Sequence, residues 1–237
     1  MKIIANESQI ETRRKIGERA PFIGLLVLAA ATVLFFLRPG WLWATMVIVW
    51  IGFLISLTGT YLGDRYVGPN AHHKRVPEAL KGLSNGYTLL MYQLPTPFVL
   101  VEPGGLTVIT VKSQGGKVSF REGRWRHRQS LGFLRRFAGQ ESLGQPHKMA
   151  EVEREHLESR LGKRLPGEEE IPVRAVVLFS NPDVELIVQD EEVPIPALRA
   201  AELKRWLRKN PLRPQLSDET LKRVAEALDL DPEVFIA

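Results

Sequence analysis

Residues 21–37, PFIGLLVLAAATVLFFL, run for 17 positions without a charge, and after Arg38-Pro39-Gly40 a second run, WLWATMVIVWIGFLISLTGTYLG, continues uncharged from Trp41 to Gly63 for 23. At about 1.5 Å per helical residue these stretches reach roughly 25 Å and 35 Å, which brackets a hydrocarbon core of about 30 Å. Arg-Pro-Gly is a break between them, since proline cannot continue a helix and glycine permits the reversal. Trp41, Trp43 and Tyr61 stand near the ends of the second run, where amphipathic rings favour the headgroup level. A cleaved signal peptide fits poorly, because a second span follows the first at once, and so does a buried helical pair of a soluble core. Arg13, Arg14, Lys15 and Arg19 precede the first span and Arg65, Lys74 and Arg75 follow the second, with Arg38 alone between them. The positive-inside tendency then places both termini in the cytoplasm, on an inner or plasma membrane. Neither span carries Asp, Glu, Lys, Arg or His, so an intramembrane proton or ion pathway is not expected. The pair reads as an anchor.

The rest of the chain is polar and globular in character. The formal net charge of +5 and a pI near 9.6 suit phosphate-rich partners, either nucleic acid or anionic lipid headgroups. With no cysteine, disulfides, thiolate metal sites and cysteine nucleophiles are excluded. Five segments are expected: a basic cytoplasmic stretch over 1–20, the transmembrane hairpin over 21–63, a linker over 64–72, an α/β domain over 73–210 and a helical segment over 211–237.

Within the domain, HHKRVPEALKGL predicts a helix with Val76, Ala79, Leu80 and Leu83 at helical spacing, ending by Asn85-Gly86. Short strands rich in β-branched and aromatic residues follow at Tyr87–Tyr92, Phe98–Val101, Leu106–Val111, Lys117–Phe120 and Arg124–Arg128, with Pro103-Gly104-Gly105 and Gly115-Gly116 as hairpin turns. A helix is predicted over Pro146–Leu161, its apolar side formed by Met149, Val152, His156, Leu157 and Leu161 and its stop at Gly162. Val173–Phe179 is a nearly continuous apolar strand of the doubly buried kind, followed by a strand at Val184–Val188, a helix over ALRAAELKRWLRK, and a last helix from Asp218 capped by Ser217. Helices alternating with strands in this order make an α/β domain with a mixed sheet and flanking helices.

PFVLVEPGGLTVITVKSQGGKV, with Pro103, Gly105, Lys112, Gly116, Lys117 and Val118, resembles the nuclease-related domain family of restriction-endonuclease-like fold. QPHKMAEVEREHLESRLG looks like that family's Asn-Pro-x-x-Gln helix, VRAVVLFSNPDVEL like its late buried strand and VPIPALRAAELKRWL like its terminal helix, so the likeness covers residues 73–210. In that fold an aspartate and a glutamate hold a divalent metal and a lysine helps activate water, because hard cations need carboxylate oxygens. Here the aspartate position is Pro97, the glutamate position is Thr110, the acidic residue of the first helix is His73 and the glutamine is Met149; Lys112 alone survives. The resemblance therefore implies a nuclease scaffold without its metal ligands: no cofactor, no metal and no catalytic residue are expected, with Lys112 left as a candidate phosphate contact. Glu102 should share a strand face with Leu100 and cannot by itself rebuild a metal site. Glu153 and His156 could share one helix face. No His-Glu-x-x-His, Gly-x-Ser-x-Gly or P-loop pattern occurs.

Charge gives the most positive signal. Between residues 117 and 136, Lys117, Arg121, Arg124, Arg126, Arg128, Arg135 and Arg136 oppose Glu122 alone, with Phe120, Trp125, Phe133 and Phe137 interleaved. Alternation puts Arg124, Arg126 and Arg128 on one face, with Trp125 and His127 on the other. Such a stripe neutralises phosphates by counterion release, meets anionic headgroups at the inner leaflet, or pairs with the acidic stretch over 183–192. A second basic run, Arg199, Lys204, Arg205, Arg208, Lys209 and Arg213, opposes only Glu202. The expectation is a membrane-anchored, catalytically inactive nuclease-related domain that binds or scaffolds, with nucleic acid preferred. A metal-dependent nuclease with a migrated site and a membrane-assembly module contacting a partner protein are the alternatives.

Overall fold

The computed structural model describes residues 1–129, 142–165, 171–188, 193–232 and 235. The described chain divides into two units, one built on residues 7–71 and the other on residues 1–6, 72–129 and 143 onward.

The first unit is a helical hairpin of α1 (Glu7–Leu37) and α2 (Leu42–Tyr66), joined by a 3₁₀ turn at Pro39–Trp41. Both helices are long and apolar enough to cross a membrane. Their seam is made of small residues repeating every seven positions: Gly17, Gly24 and Ala31 are buried on α1, and Thr45, Gly52 and Gly59 on α2. A seven-residue repeat keeps one stripe facing the partner helix, and small side chains there let the backbones close up. A β-carbon on Gly24 would lie 2.7 Å from the Gly52 carbonyl oxygen, and one on Gly17 would lie 2.9 Å from the Gly63 nitrogen. The large apolar side chains point outward instead, Phe36 being 75% and Trp43 76% exposed. α1 starts well before the uncharged run, because Arg14 bridges Glu11 at 2.9 Å and Glu18 at 2.5 Å along its polar half. Pro21 therefore lies inside the helix rather than at its start. α2 likewise runs three residues past the second apolar run.

The second unit contains β1 (Lys2–Ala5), α3 (His72–Leu80), β2 (Thr88–Met91), β3 (Phe98–Glu102), β4 (Gly105–Lys112), β5 (Gly116–Arg121), β6 (Arg124–Arg128), α4 (Pro146–Arg164), β7 (Val173–Phe179), β8 (Val184–Ile187), β9 (Ala197–Arg199), α5 (Ala200–Lys209) and α6 (Asp218–Ala227). Six strands form a mixed sheet in the order β1-β2-β3-β4-β7-β9, and β6-β5-β8 form a separate sheet. β3 is antiparallel to both β2 and β4, whereas β7 and β9 continue parallel to β4. This is an α/β domain with a mixed sheet.

Several expectations need correction. The stretch over 1–20 divides between the two units: Lys2–Ala5 pair in parallel with Thr88–Met91, the amides of Lys2 and Asn6 donate to Tyr87 and Met91 carbonyls at 2.9 Å, and residues from Glu7 belong to α1. Gly115-Gly116 is no hairpin turn but the crossing from one sheet to the other, since β4 and β5 belong to different sheets. Gly116 has a φ of 79°, and a β-carbon there would lie 2.7 Å from the Arg128 carbonyl oxygen. Residues 197–199, expected as helix, are strand β9, because the parallel edge of β7 captures them. Gly162 does not stop α4, which continues to Arg164. The buried side of α4 is His147, Ala150, Leu157 and Leu161, while Met149, Val152 and His156 are exposed.

One face of the large sheet, with Val99, Val101, Leu106 and Val108, joins Leu157 and Leu161 of α4 and Leu221 and Val224 of α6 in a single core. The opposite face, carrying Leu89, Leu100 and Ile109, is as fully buried. On α3 and α5, Val76, Leu80, Leu203 and Leu207 are buried, and α5 is tied to the end of α3 by Lys204 and Arg208, which donate to the Lys81 and Gly82 carbonyls. Ser217 caps α6 as expected, its hydroxyl accepting from the Thr220 amide at 3.1 Å.

Candidate functional site

Thr110 and Lys112 lie two residues apart on β4, so both side chains leave the same face, and both are buried. That face looks toward α4, where the Thr110 hydroxyl donates to Glu153 Oε2 at 2.5 Å. The Thr96 hydroxyl, next to Pro97, donates to the Glu153 main-chain carbonyl at 3.5 Å. The position assigned to one metal-binding carboxylate, Thr110, and the neighbour of the other, Thr96, thus both bond to Glu153 of α4. Helical spacing carried the signal for Glu153, which lies three residues after buried Ala150 and four before buried Leu157. Its pairing with His156 fails, because His156 is on the exposed side of the helix. Among the described residues no three His, Asp or Glu side chains converge as metal ligands do.

Glu102 lies on the other face. The β3–β4 register places it with Leu100 and Thr107, away from Val99, Val101 and Val108. Both of its oxygens accept from Arg174 Nη2 at 2.9 Å, and the Thr107 hydroxyl donates to Oε1. The guanidinium lies 4.5 Å over the Trp206 ring. With the side chain of Glu102 consumed and facing away from Lys112, no migrated site forms from that pair.

The basic stripe is an antiparallel ribbon. Its turn is Glu122-Gly123, both with positive φ, the backbone that two-residue hairpins between right-twisted strands require. An acidic residue followed by glycine between two basic strands was a legible signal for this turn. Register sets Lys117 opposite Arg128, Ser119 opposite Arg126 and Arg121 opposite Arg124, so five cations share one exposed face. Like charges directly opposite one another are destabilising by roughly 0.2–1 kcal/mol per pair, and the ribbon holds two such pairs. Among the described residues, Glu185, 3.4 Å from Lys117, and Glu122, 3.2 Å from Arg126, answer them; both pairs are exposed and weak. Lys117, Arg121, Arg126 and Arg128 line a concavity of about 260 Å³. Arg135 and Arg136, with Phe133 and Phe137, lie outside the described residues, as do residues 189–192 of the acidic stretch.

The reverse of the ribbon is what keeps it in place. Val118 and Phe120 are buried, Trp125 packs 5.1 Å from Phe120 and 5.9 Å from Phe179, and Trp125 Nε1 donates to His147 Nδ1 at 2.8 Å. Burial holds His147 below its ordinary pKa, so near neutral pH the ring that accepts this hydrogen bond is uncharged. His127 Nε2 lies 2.8 Å from the Gly115 carbonyl. Of the remaining histidines, His72 is buried and His73 half-buried at the start of α3.

Comparison of the chain with protein-family models, with curated proteins and with solved structures finds no match.

Proposed function

We propose that this protein is a membrane-anchored α/β domain that binds nucleic acid on the cationic face of the β5–β6 ribbon and does not cleave it. The observation that carries this reading is the ribbon itself: five cations on one exposed face, two pairs of them directly opposed, above a packed aromatic underside. Such self-repulsion is relieved when a polyanion covers the face. The restriction-endonuclease-like architecture belongs to the same proposal. Its supports are the order helix, three-strand meander, helix and parallel strand, and the Thr96 and Thr110 hydroxyls that both bond to Glu153. Cleavage is not proposed, because a divalent ion that activates water needs paired oxygen ligands beside Lys112.

The anchor is the α1–α2 hairpin. β1 precedes it and pairs with β2, which follows it, so both ends of the hairpin return to one unit, and this supports entry and exit on the same side of a membrane. The basic residues flanking the hairpin favour the cytoplasmic side. Alkaline extraction is expected to leave the full chain in the membrane pellet. It should release a chain in which residues 7–71 are replaced by a Gly/Ser linker that keeps β1 in the sheet. Release of the full chain would refute the anchor.

Binding is tested on the full chain in phosphatidylcholine nanodiscs with labelled DNA and RNA across a salt series. If all five ribbon cations contact phosphates of a duplex, log K should fall against log salt with a slope of about −4.5, and Arg124→Gln, Arg126→Gln and Arg128→Gln together should bring it to roughly −2. Absence of salt-sensitive retention, or a slope the triple variant leaves unchanged, would refute the nucleic-acid reading. Retention by anionic but not neutral discs, with no nucleic acid bound, would transfer the ribbon to lipid headgroups. Mg²⁺-dependent cleavage that disappears in Lys112→Ala would overturn the non-catalytic part alone.

A further inference from the structure

The second basic run lines a cavity away from the ribbon's cationic face. Arg199 ends β9 and Lys204 lies on the second turn of α5; with Arg75 of α3 they face a space of about 500 Å³. That volume lies in the range of small-molecule sites, about 300–1,000 Å³. Ser180 and Asn181, which follow β7, form another part of the wall, so the cavity opens beyond the carboxyl ends of two parallel strands. Open α/β sheets hold their ligands in this kind of crevice.

The chemistry of the lining is one-sided. Among the described residues of the lining, three cations from three separate elements face one carboxylate, Glu78. Each cation is held in place, and of the three it is Arg75 that pairs with a carboxylate of the lining. Arg75 Nη1 donates to Glu78 at 2.9 Å, Lys204 Nζ donates to the Lys81 carbonyl at 3.0 Å, and Arg199 is braced by Glu202, which lies outside the lining. An arginine at the N-cap offers no acceptor to the first-turn amides of α5, and the small residues of that turn, Ala200 and Ala201, line the same space. Ala79, Pro182 and Val184 supply an apolar wall, and the volume exceeds what a lone inorganic anion fills.

We propose that this cavity binds a phosphate-bearing small molecule of nucleotide size, its phosphates between Arg75, Arg199 and Lys204 and its organic part against Ala79, Pro182 and Val184. The site is independent of nucleic-acid binding at the ribbon. The test is calorimetric titration of the full chain in phosphatidylcholine nanodiscs with pyrophosphate and with adenosine diphosphate. Saturable binding of one equivalent is expected, with the nucleotide tighter. Lys204→Met and Arg75→Met should each weaken it about tenfold or more, as loss of a charge-assisted hydrogen bond does. Ala201→Asp serves as a second variant, because a carboxylate in the first turn favours the helix while repelling phosphate; it should abolish binding in a folded chain. The ribbon triple variant should leave binding unchanged, which separates this site from the ribbon. No saturable heat with either probe at millimolar concentration, or binding that survives both Lys204→Met and Ala201→Asp, would overturn the proposal. So would capture of discs containing phosphatidic acid when neither soluble probe binds.

Discussion

Replacing Gly59 by leucine is expected to spring the hairpin apart. A β-carbon at this position would already lie 2.5 Å from Pro21 Cδ, 2.7 Å from Pro21 N and 2.8 Å from Ala20 Cβ. Two of these atoms belong to the pyrrolidine ring of α1, which has no rotamer by which to move away, so the helices must separate along the seam. In lipid there is no hydrophobic drive to hold them, and close backbone packing is the principal attraction. The substitution should cost about 3 kcal/mol, the upper end of ordinary overpacking. Because the chain has no cysteine, spin labels at Arg19→Cys and Tyr61→Cys report the spacing of the two helices without background. A narrow distance distribution should lengthen and broaden in Gly59→Leu. Gly40→Leu, where nothing lies within 4 Å of a β-carbon, should leave it unchanged. An unaltered distribution in the Gly59 variant would mean that the glycine seam does not hold the hairpin.

Glu102→Ala should strongly destabilise the α/β unit. The carboxylate is 2% exposed and its partner guanidinium 17%, and Arg174 also donates to the Thr107 hydroxyl at 2.8 Å and to the Asn210 carbonyl. The pair therefore ties the β3–β4 hairpin to β7 and to the end of α5. Removing one member of a buried pair leaves the other charge uncompensated, at about 3–5 kcal/mol. The lower end applies here, because Arg174 keeps some solvent and the Trp206 face. A loss of about 3 kcal/mol should lower the melting temperature by roughly 10 °C for a unit of this size. Near-UV circular dichroism is a suitable probe, since Trp206 stacks on the guanidinium. Glu102→Leu with Arg174→Met should recover part of the loss, as apolar replacement of whole buried pairs does. A melting temperature unchanged in Glu102→Ala would show the pair to be dispensable, and with it the argument that Glu102 is unavailable to a metal.

Much of the ribbon is legible in the amino-acid sequence. A period of two sorts Arg124, Arg126 and Arg128 from Trp125 and His127 whatever the strand's partner is, and the apolar run Val173–Phe179 announces a strand buried on both faces by composition alone. Hydrophobicity favours Met149 and Val152 for the interior of α4, whereas the sheet takes the stripe through His147, Ala150, Glu153 and Leu157. Residues 197–199 sit next to strong helix formers and lost that preference to the free edge of β7, a tertiary override of local propensity. Gly115-Gly116 reads as a hairpin and is instead the crossing between two sheets, since a local turn signal does not say which sheet receives the next strand.

The amino-acid sequence alone determined what depends on near neighbours: two charge-free runs of membrane-crossing length, joined at Arg-Pro-Gly, and an alternating basic strand. Hydropathy and side-chain period act over a few residues and need no partner to be read. Only the tertiary structure decided that Lys2–Ala5 close the sheet beside Thr88–Met91, that Thr110 meets Glu153, and that Glu102 is spent on Arg174. Each of these is a choice of partner 43 to 86 positions away along the chain, made by the complementarity of packed faces and by the cost of leaving a buried charge or hydroxyl unmet.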